Sequence, residues 1–406
     1  MYGLIGKKLN HSWSCEIHEL LGHDYSLIEL EEAQLEDFFR ERDFDGINVT
    51  IPYKSAVMKY LDDISDRAKR IGAVNTVVKR ADGTLCGDNT DCFGFLWLAH
   101  SSGIDLRGKD CLVLGTGGAS KAVTAALEDL GAEVTLVSRT GEVGYSSIYT
   151  KHSDADVIIN CTPVGMYPDC AESPLNLTVF QRLLAVYDVV YNPSRTQLML
   201  DAAKDYVPAF GGLPMLVAQA AKATELFTGE VVPDEKIAEI LKKIEFEKRN
   251  ILLIGMPGCG KTTVGRILAE KLGRDFIDLD EEIERKTSRS PADIIGSDGE
   301  PAFRAIETEV LESFALLSGK VIACGGGTIS PKRNRFIMKR NSTVIWIQRD
   351  ESLLATEGRP LSEIVGVHEL YRYREPLYIE SSDLNFTNNG TAEECAEKIL
   401  AELERT

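Results

Sequence analysis

Two glycine-rich stretches, one in each half of the 406-residue chain, carry side chains suited to phosphate chemistry. The first is Gly115-Thr116-Gly117-Gly118-Ala119-Ser120-Lys121-Ala122. It departs from a strict G-x-G-x-x-G spacing, yet its small residues would let backbone approach a pyrophosphate at a helix N-terminus. The second, Gly255-Met256-Pro257-Gly258-Cys259-Gly260-Lys261-Thr262, fits G-x-x-x-x-G-K-[ST]. In that pattern backbone N–H groups cradle phosphates, Lys261 neutralises the group in transfer and the Thr262 hydroxyl reaches Mg²⁺. The first half also holds three polar clusters: His11-Ser12-Trp13-Ser14, Asn48 through Lys54, and Gly87-Asp88-Asn89-Thr90-Asp91. A lysine and an aspartate brought together from such clusters can do acid/base work, the carboxylate holding an ammonium that gives up its proton. In the second half, Arg304, Arg359 and Arg374 are placed to bind carboxylates or phosphates in two-pronged fashion.

These groups need elements to position them. Cys111–Leu114 and Ile251–Ile254 read as short apolar strands, each leading through its glycine loop into a helix. The first helix ends near Gly131 and the second at Gly273, a C-cap. Strands alternating with helices predict parallel sheets, so both halves read as α/β. The strand Glu133–Val137 ends at Ser138-Arg139-Thr140. An NAD site carries an acidic residue at this strand end, whereas Arg139 suits the 2′-phosphate of NADP; the plain alternative is a solvated arginine. Asp275–Asp280 predicts a strand with Asp278 and Asp280 on one side; the alternative is the acidic start of a helix running into Glu281-Glu282. Arg304 and Glu307, three apart on a helix, can pair. Gly325-Gly326-Gly327 follows the strand Val321–Cys324 and suits close approach of a ligand to backbone.

The motifs of residues 1–245 resemble the shikimate dehydrogenase family: Ser12-x-Ser14 with His18, Asn48-Val49-Thr50-Ile51-Pro52-Tyr53-Lys54, Gly72-Ala73-Val74-Asn75-Thr76, Gly87 through Asp91, and Gly212-x-x-Met215-Leu216-x-x-Gln219. The resemblance implies Lys54 as acid/base with Asp91 its partner, and Ser12, Ser14, Thr50, Asn75, Tyr191 and Gln219 as substrate-binding residues. It implies NADP held by Gly115, Gly117, Gly118, Ala119, Ser138, Arg139, Thr140, Gly212 and Met215. Cys15, Glu19 and Val143 depart from the family pattern without removing a catalytic group.

Residues 249 to 406 resemble shikimate kinase. By that resemblance Asp280, Arg304, Gly326 and Arg374 bind shikimate, Asp280 is the base, and Arg359 on a lid steadies the transferring phosphate. Gly258, Cys259, Gly260, Lys261, Thr262 and Thr263 would hold ATP, with Thr262 and Asp278 serving Mg²⁺ directly or through water. The stretch between Arg359 and Arg374 is a few residues shorter than in typical members.

The expected organisation is a substrate-binding domain over 1–92, a Rossmann NADP-binding domain over 93–212, returning helices and a short linker over 213–247, and a P-loop kinase domain over 248–406. The expected function is reduction of 3-dehydroshikimate to shikimate followed by phosphorylation of the shikimate 3-hydroxyl. The rivals are a quinate-type dehydrogenase fused to a kinase for another small polyol, and a chain in which one half binds nucleotide without turnover. Composition narrows the setting. The formal charge of −18 repels a nucleic-acid backbone, and no apolar run approaches the roughly 18–20 residues that span a bilayer. Nine scattered cysteines with no Cys-x-x-Cys pair argue against a disulfide framework or zinc site. The first residues predict a strand rather than a signal peptide, so a cytoplasmic location is expected.

Overall fold

Three sheets organise the described residues, which are 1–9, 12–354 and 366–405 of the computed structural model. Two of the sheets lie in a unit spanning Met1–Glu245 and the third in a unit spanning Phe246–Thr406. The helix Asp234–Lys248 carries the chain from one unit into the next, with Ile237, Ile240 and Ile244 buried along one face. No helix among the described residues is long and apolar enough to cross a membrane.

The first sheet has six strands, in the order Tyr25–Glu29, Tyr2–Gly6, Gly46–Val49, Thr76–Lys79, Leu85–Asp88 and Asp63–Ile64. It is mixed, which corrects the expectation of parallel sheets throughout. Tyr2–Gly6 runs parallel to both its neighbours, but Thr76–Lys79 is antiparallel to Gly46–Val49 and to Leu85–Asp88. The reversal is local. Asp82-Gly83 turns the chain, Gly83 takes a left-handed φ of 84°, and Arg80 N–H closes on the Thr84 carbonyl at 2.8 Å.

The second sheet is parallel, ordered Ala209–Phe210, Ala185–Asp188, Val157–Asn160, Asp110–Leu114 and Glu133–Val137. Its central strands are apolar and buried, as a sheet covered on both faces requires. The third is also parallel, ordered Phe276–Asp278, Val321–Ala323, Asn250–Ile254, Ser342–Gln348 and Leu384–Thr387.

Helix packing ties the first unit together. Leu213–Thr228 lies against Asp91–Ser102 so closely that a Cβ at Gly94 would fall 2.5 Å from the Met215 carbonyl oxygen. That approach brings Gln219 over Asn75 and Thr90. In the two parallel sheets the polar residues singled out by type gather beyond strand C-termini, where parallel α/β folds leave a crevice.

Candidate active sites

Lys54 and Asp91 come from different elements and meet. Lys54 follows the strand Gly46–Val49, and Asp91 opens the helix Asp91–Ser102. The Lys54 ammonium donates to Asp91 Oδ2 at 2.6 Å, with the two side chains only 16% and 9% exposed. Asn75 Nδ2 donates to the other carboxylate oxygen at 2.9 Å and to Thr90 Oγ1 at 3.0 Å, and lies 3.4 Å from Gln219 Oε1. The Asn75 side-chain oxygen accepts from Thr90 N–H at 2.7 Å. A second rank stands behind it. Tyr25 donates its hydroxyl to Asn48 Oδ1 at 2.7 Å, and Asn48 Nδ2 donates to Thr76 Oγ1 and the Asn75 carbonyl. His18 stacks on the Tyr25 ring at 3.9 Å; burial, then His23 nearby, pull its imidazole down to about 3, so it packs as a neutral ring.

Ser12 donates to Ser14 Oγ at 2.9 Å, and Trp13 between them packs on Tyr191 at 5.0 Å between ring centroids. Thr50 N–H bonds the Ile5 carbonyl, fixing it beside the end of the first strand.

The dinucleotide loop stands next to the pair. Gly115 takes φ +106°, and Gly117 and Gly118 begin the helix Gly118–Asp129. A Cβ on Gly117 would meet nothing within 4 Å, leaving the helix N-terminus open to a pyrophosphate. A Cβ on Gly118 would come 3.1 Å from Lys54 Cδ, so the lysine stem rests on this loop. Buried Ser120 ties its hydroxyl to the Gly115 carbonyl at 2.6 Å. Beyond the strand Glu133–Val137, Ser138 Oγ accepts from Gly141 N–H at 2.7 Å and shapes a turn that leaves Arg139 and Thr140 exposed. An open helix N-terminus flanked by an exposed arginine fits NADP.

On the opposite side, Gly212 packs on the Val189 carbonyl so tightly that no Cβ fits, and Met215 is buried just beyond. The fully buried Asp188 organises this wall. It accepts from Val190 N–H and Asn160 Nδ2 at 3.0 Å each and from Thr196 Oγ1 at 2.7 Å. Burial nevertheless pushes its carboxyl up to about 6.

In the second unit, Gly258 and Gly260 take left-handed φ of 82° and 97°, arching the loop before the helix Lys261–Leu272. Lys261 is buried and donates to the Gly255 and Met256 carbonyls at 3.0 Å each. Asn388 Nδ2 holds the Cys259 carbonyl at 2.8 Å, and Thr263 is exposed on the first helical turn. Thr262 donates to Asp278 Oδ2 at 2.7 Å. One hydroxyl and one carboxylate suit Mg²⁺, which keeps water and phosphate oxygens for the rest of its shell. Among the described residues no group of three or more His, Cys, Asp or Glu is disposed to hold a metal.

The expected strand through Asp280 stops at Asp278. Asp278 caps the helix Leu279–Thr287, its Oδ1 accepting from Asp280 N–H at 3.0 Å, so Asp280 lies in the first helical turn. Asp280 is exposed, yet the protein around its carboxyl, then Asp278 and Glu307, push it up to about 6 against the pull of Lys261 and Arg304. Gly325 separates Asp280 from Glu307: a Cβ there would fall 3.0 and 2.9 Å from their oxygens. Gly326 abuts Pro257 of the phosphate loop, and Tyr378 donates to the Gly326 carbonyl at 2.6 Å. Gly327 packs on the Arg304 guanidinium. Arg304 in turn donates to the buried Glu307 at 2.7 Å, and Thr328 bonds the other Glu307 oxygen. Arg374 is buried, and its Nε has no hydrogen-bond partner. Arg359 lies outside the described residues.

Sequence motifs thus found the primary groups and gave no role to Thr90, Thr328 or Tyr378, which stand beside them in the chain, but missed Tyr25 and Asn388. These two are lone polar residues brought to their sites by elements distant in sequence. Burial of a polar side chain at a strand end would have been the signal, and the sequence does not print burial.

The folds and their polar centres define a dinucleotide-dependent oxidoreductase joined to a P-loop phosphotransferase. Comparison with known proteins narrows both. Residues 4–77 match the family model for the shikimate dehydrogenase substrate binding domain, and residues 257–404 match that for shikimate kinase. The chain is 39% identical over 263 residues to the shikimate dehydrogenase (NADP(+)) of Clostridium beijerinckii, covering 60% of this chain and 97% of that protein. A chorismate mutase/shikimate 5-dehydrogenase fusion protein from Clostridium acetobutylicum superposes with TM-score 0.57 at 38% identity, covering 60% of this chain and 96% of that one. Shikimate 5-dehydrogenase from Thermus thermophilus, solved with NADP(H) and shikimate, gives TM-score 0.53 at 34% identity over 60% and 98% of the two chains. The chain belongs to the shikimate dehydrogenase family, and carries a shikimate kinase domain after it.

Proposed function

We propose that this bifunctional enzyme of the shikimate pathway reduces 3-dehydroshikimate with NADPH in its first unit and phosphorylates the 3-hydroxyl of shikimate with MgATP in its second. The observation that carries the reading is the Lys54–Asp91 pair resting on Gly118, which sets a proton donor beside the cofactor loop. Residues 1–92, with the helices of 213–246, form the substrate side, and 93–212 form the dinucleotide side.

NADPH, when bound, supplies the hydride. Lys54 gives the carbonyl oxygen its proton, while Asp91 holds the ammonium and Asn75 holds Asp91. Ser12, Ser14, Thr50, Asn75, Tyr191 and Gln219 present hydroxyl and amide groups to the substrate's own hydroxyls and carboxylate. Gly115, Gly117, Gly118 and Ala119 would hold the pyrophosphate, Ser138, Arg139 and Thr140 the 2′-phosphate, and Gly212 and Met215 the nicotinamide end.

In the second unit MgATP supplies the phosphoryl group. Gly258, Cys259, Gly260 and Thr263 line its loop, Lys261 balances its charge, and Thr262 and Asp278 serve the metal. A carboxyl titrating at about 6 is ionised at neutral pH, so Asp280 can take the proton of the attacking hydroxyl. Arg304, Arg374 and the Gly326 backbone orient the acceptor, and Arg359 is assigned to the transferring phosphate on its sequence motif alone.

The test is mass spectrometry of products from protein given 3-dehydroshikimate, NADPH and MgATP together, with quinate and gluconate as alternative acceptors. Shikimate 3-phosphate, with one NADP⁺ and one ADP per molecule, is expected. Preference for gluconate or quinate would overturn the acceptor assignment, and absence of reduction would overturn the first half.

A further inference from the structure

The acceptor side of the kinase site already contains a carboxylate where a substrate carboxylate would go. Arg304 donates through Nε and Nη2 to one oxygen of Glu300, at 3.2 and 2.9 Å, and through Nη1 to Glu307 at 2.7 Å. The two glutamates are held differently. The Glu307 side chain is fully buried and also receives the Thr328 hydroxyl. Glu300 begins the helix Glu300–Ala315 and its side chain is 44% exposed, so rotation into solvent costs it little.

Charge points the same way. One guanidinium faces two carboxylates, leaving this cluster net negative before any anionic acceptor arrives. Arg374, the other arginine of this side, has a buried Nε with no partner. A buried unpaired donor is costly, and an incoming carboxylate would relieve it. An acceptor carboxylate is therefore wanted by Arg374 and resisted at Arg304.

We propose that Glu300 is a placeholder for the acceptor's own carboxylate, holding the Nε/Nη2 edge of Arg304 until the acceptor binds and then leaving it. The inference rests on the reading of Arg304 as a carboxylate clamp. The placeholder keeps the guanidinium extended and packed on Gly327, so less side-chain order remains to be imposed when the acceptor arrives. It also selects. A polyol without a carboxylate cannot replace Glu300 on the fork, whereas an acceptor with a planar carboxylate can.

Glu300→Gln keeps the shape and removes the charge. An ion pair whose carboxylate is 44% exposed shifts affinity by about two- to fivefold, so the shikimate KM of this variant falls by that factor. Its kcat and its KM for MgATP stay put. Glu300→Asp, which keeps the charge at the helix start but withdraws it by one methylene, lowers the shikimate KM as well. The methyl ester of shikimate, with its carboxylate masked, gains nothing from either change. Arg304→Lys is run beside them and raises the shikimate KM at least tenfold. If Arg304→Lys raises KM but the Glu300 variants raise it or leave it unmoved, the placeholder is wrong and the clamp stands. If Arg304→Lys has no effect, the clamp reading fails and takes the placeholder with it. Equal gains for the ester and the acid would also overturn the proposal, because they would not depend on the acceptor's carboxylate.

Discussion

Lys54→Ala should separate chemistry from stability in a single residue. The ammonium lies 2.6 Å from Asp91 and both side chains are largely shielded from solvent. Removing it takes away the proton donor, and a positioned general acid is worth about 10²–10⁴-fold in rate. It also strands Asp91, which keeps only the Asn75 amide among the partners described above. Breaking a fully buried pair costs about 3–5 kcal/mol. Here Lys54 is 16% exposed, so water replaces part of the lost interaction and the cost falls to about 1–3 kcal/mol. The double variant Lys54→Ala/Asp91→Asn removes the stranded charge, so it recovers most of that stability and none of the activity. NADPH oxidation, ADP release and thermal unfolding are measured on one preparation. Reduction within tenfold of the unaltered protein would refute the role of Lys54. A double variant no more stable than the single would refute the electrostatic account, and lost kinase activity in folded protein would refute two separable sites.

The remaining expectations concern both units. Kinase kcat/KM for shikimate falls as pH drops through about 6, because the ionised form of Asp280 is the base; Asp280→Asn loses the activity and leaves reduction intact, and a pH profile with no acid limb near 6 would count against the assignment. Gly327→Ala drives a methyl into the Arg304 guanidinium, so the shikimate KM rises about tenfold or more while KM for MgATP holds, as bidentate contacts are worth more than 1 kcal/mol. Asp188, with its folded-state carboxyl raised to about 6, binds its proton more tightly folded than unfolded, so its contribution to stability falls as pH rises from about 4 to about 6. Asp188→Asn flattens that slope and gains about 1–3 kcal/mol at neutral pH, read from denaturant midpoints at pH 5 and 8.

What was legible in the sequence follows from distance along the chain. The phosphate loop is contiguous, so its glycines, Lys261 and Thr262 can be read as one pattern. Arg304 and Glu307 sit one helical turn apart and were visible as a pair for the same reason. The Asp82-Gly83 turn was not read from the sequence, and its consequence, an antiparallel hairpin inside the first sheet, emerges only once the flanking strands are paired. Asp280 shows the limit of periodicity. Asp278 and Asp280, alternating about Leu279, look like one face of a strand, and Asp278 instead uses its side chain to start a helix. Tyr25 and Asn48 are 23 residues apart, and nothing local marks one as the partner of the other. Glu300 is a similar case: an acidic first turn predicts dipole stabilisation, not occupation of an arginine fork.

The contact between Lys54 and Gly118 has a consequence for anyone who would re-engineer cofactor use. The exposed Arg139 and Thr140 stand in a turn of their own, and residues there can be exchanged without disturbing the proton donor. Residue 118 is different, because a side chain there would sit 3.1 Å from the lysine stem and oblige the stem to shift by a few tenths of an ångström. Transplanting the whole nucleotide loop from another dehydrogenase would therefore displace the proton donor along with changing the preference, unless the graft keeps glycine at that position.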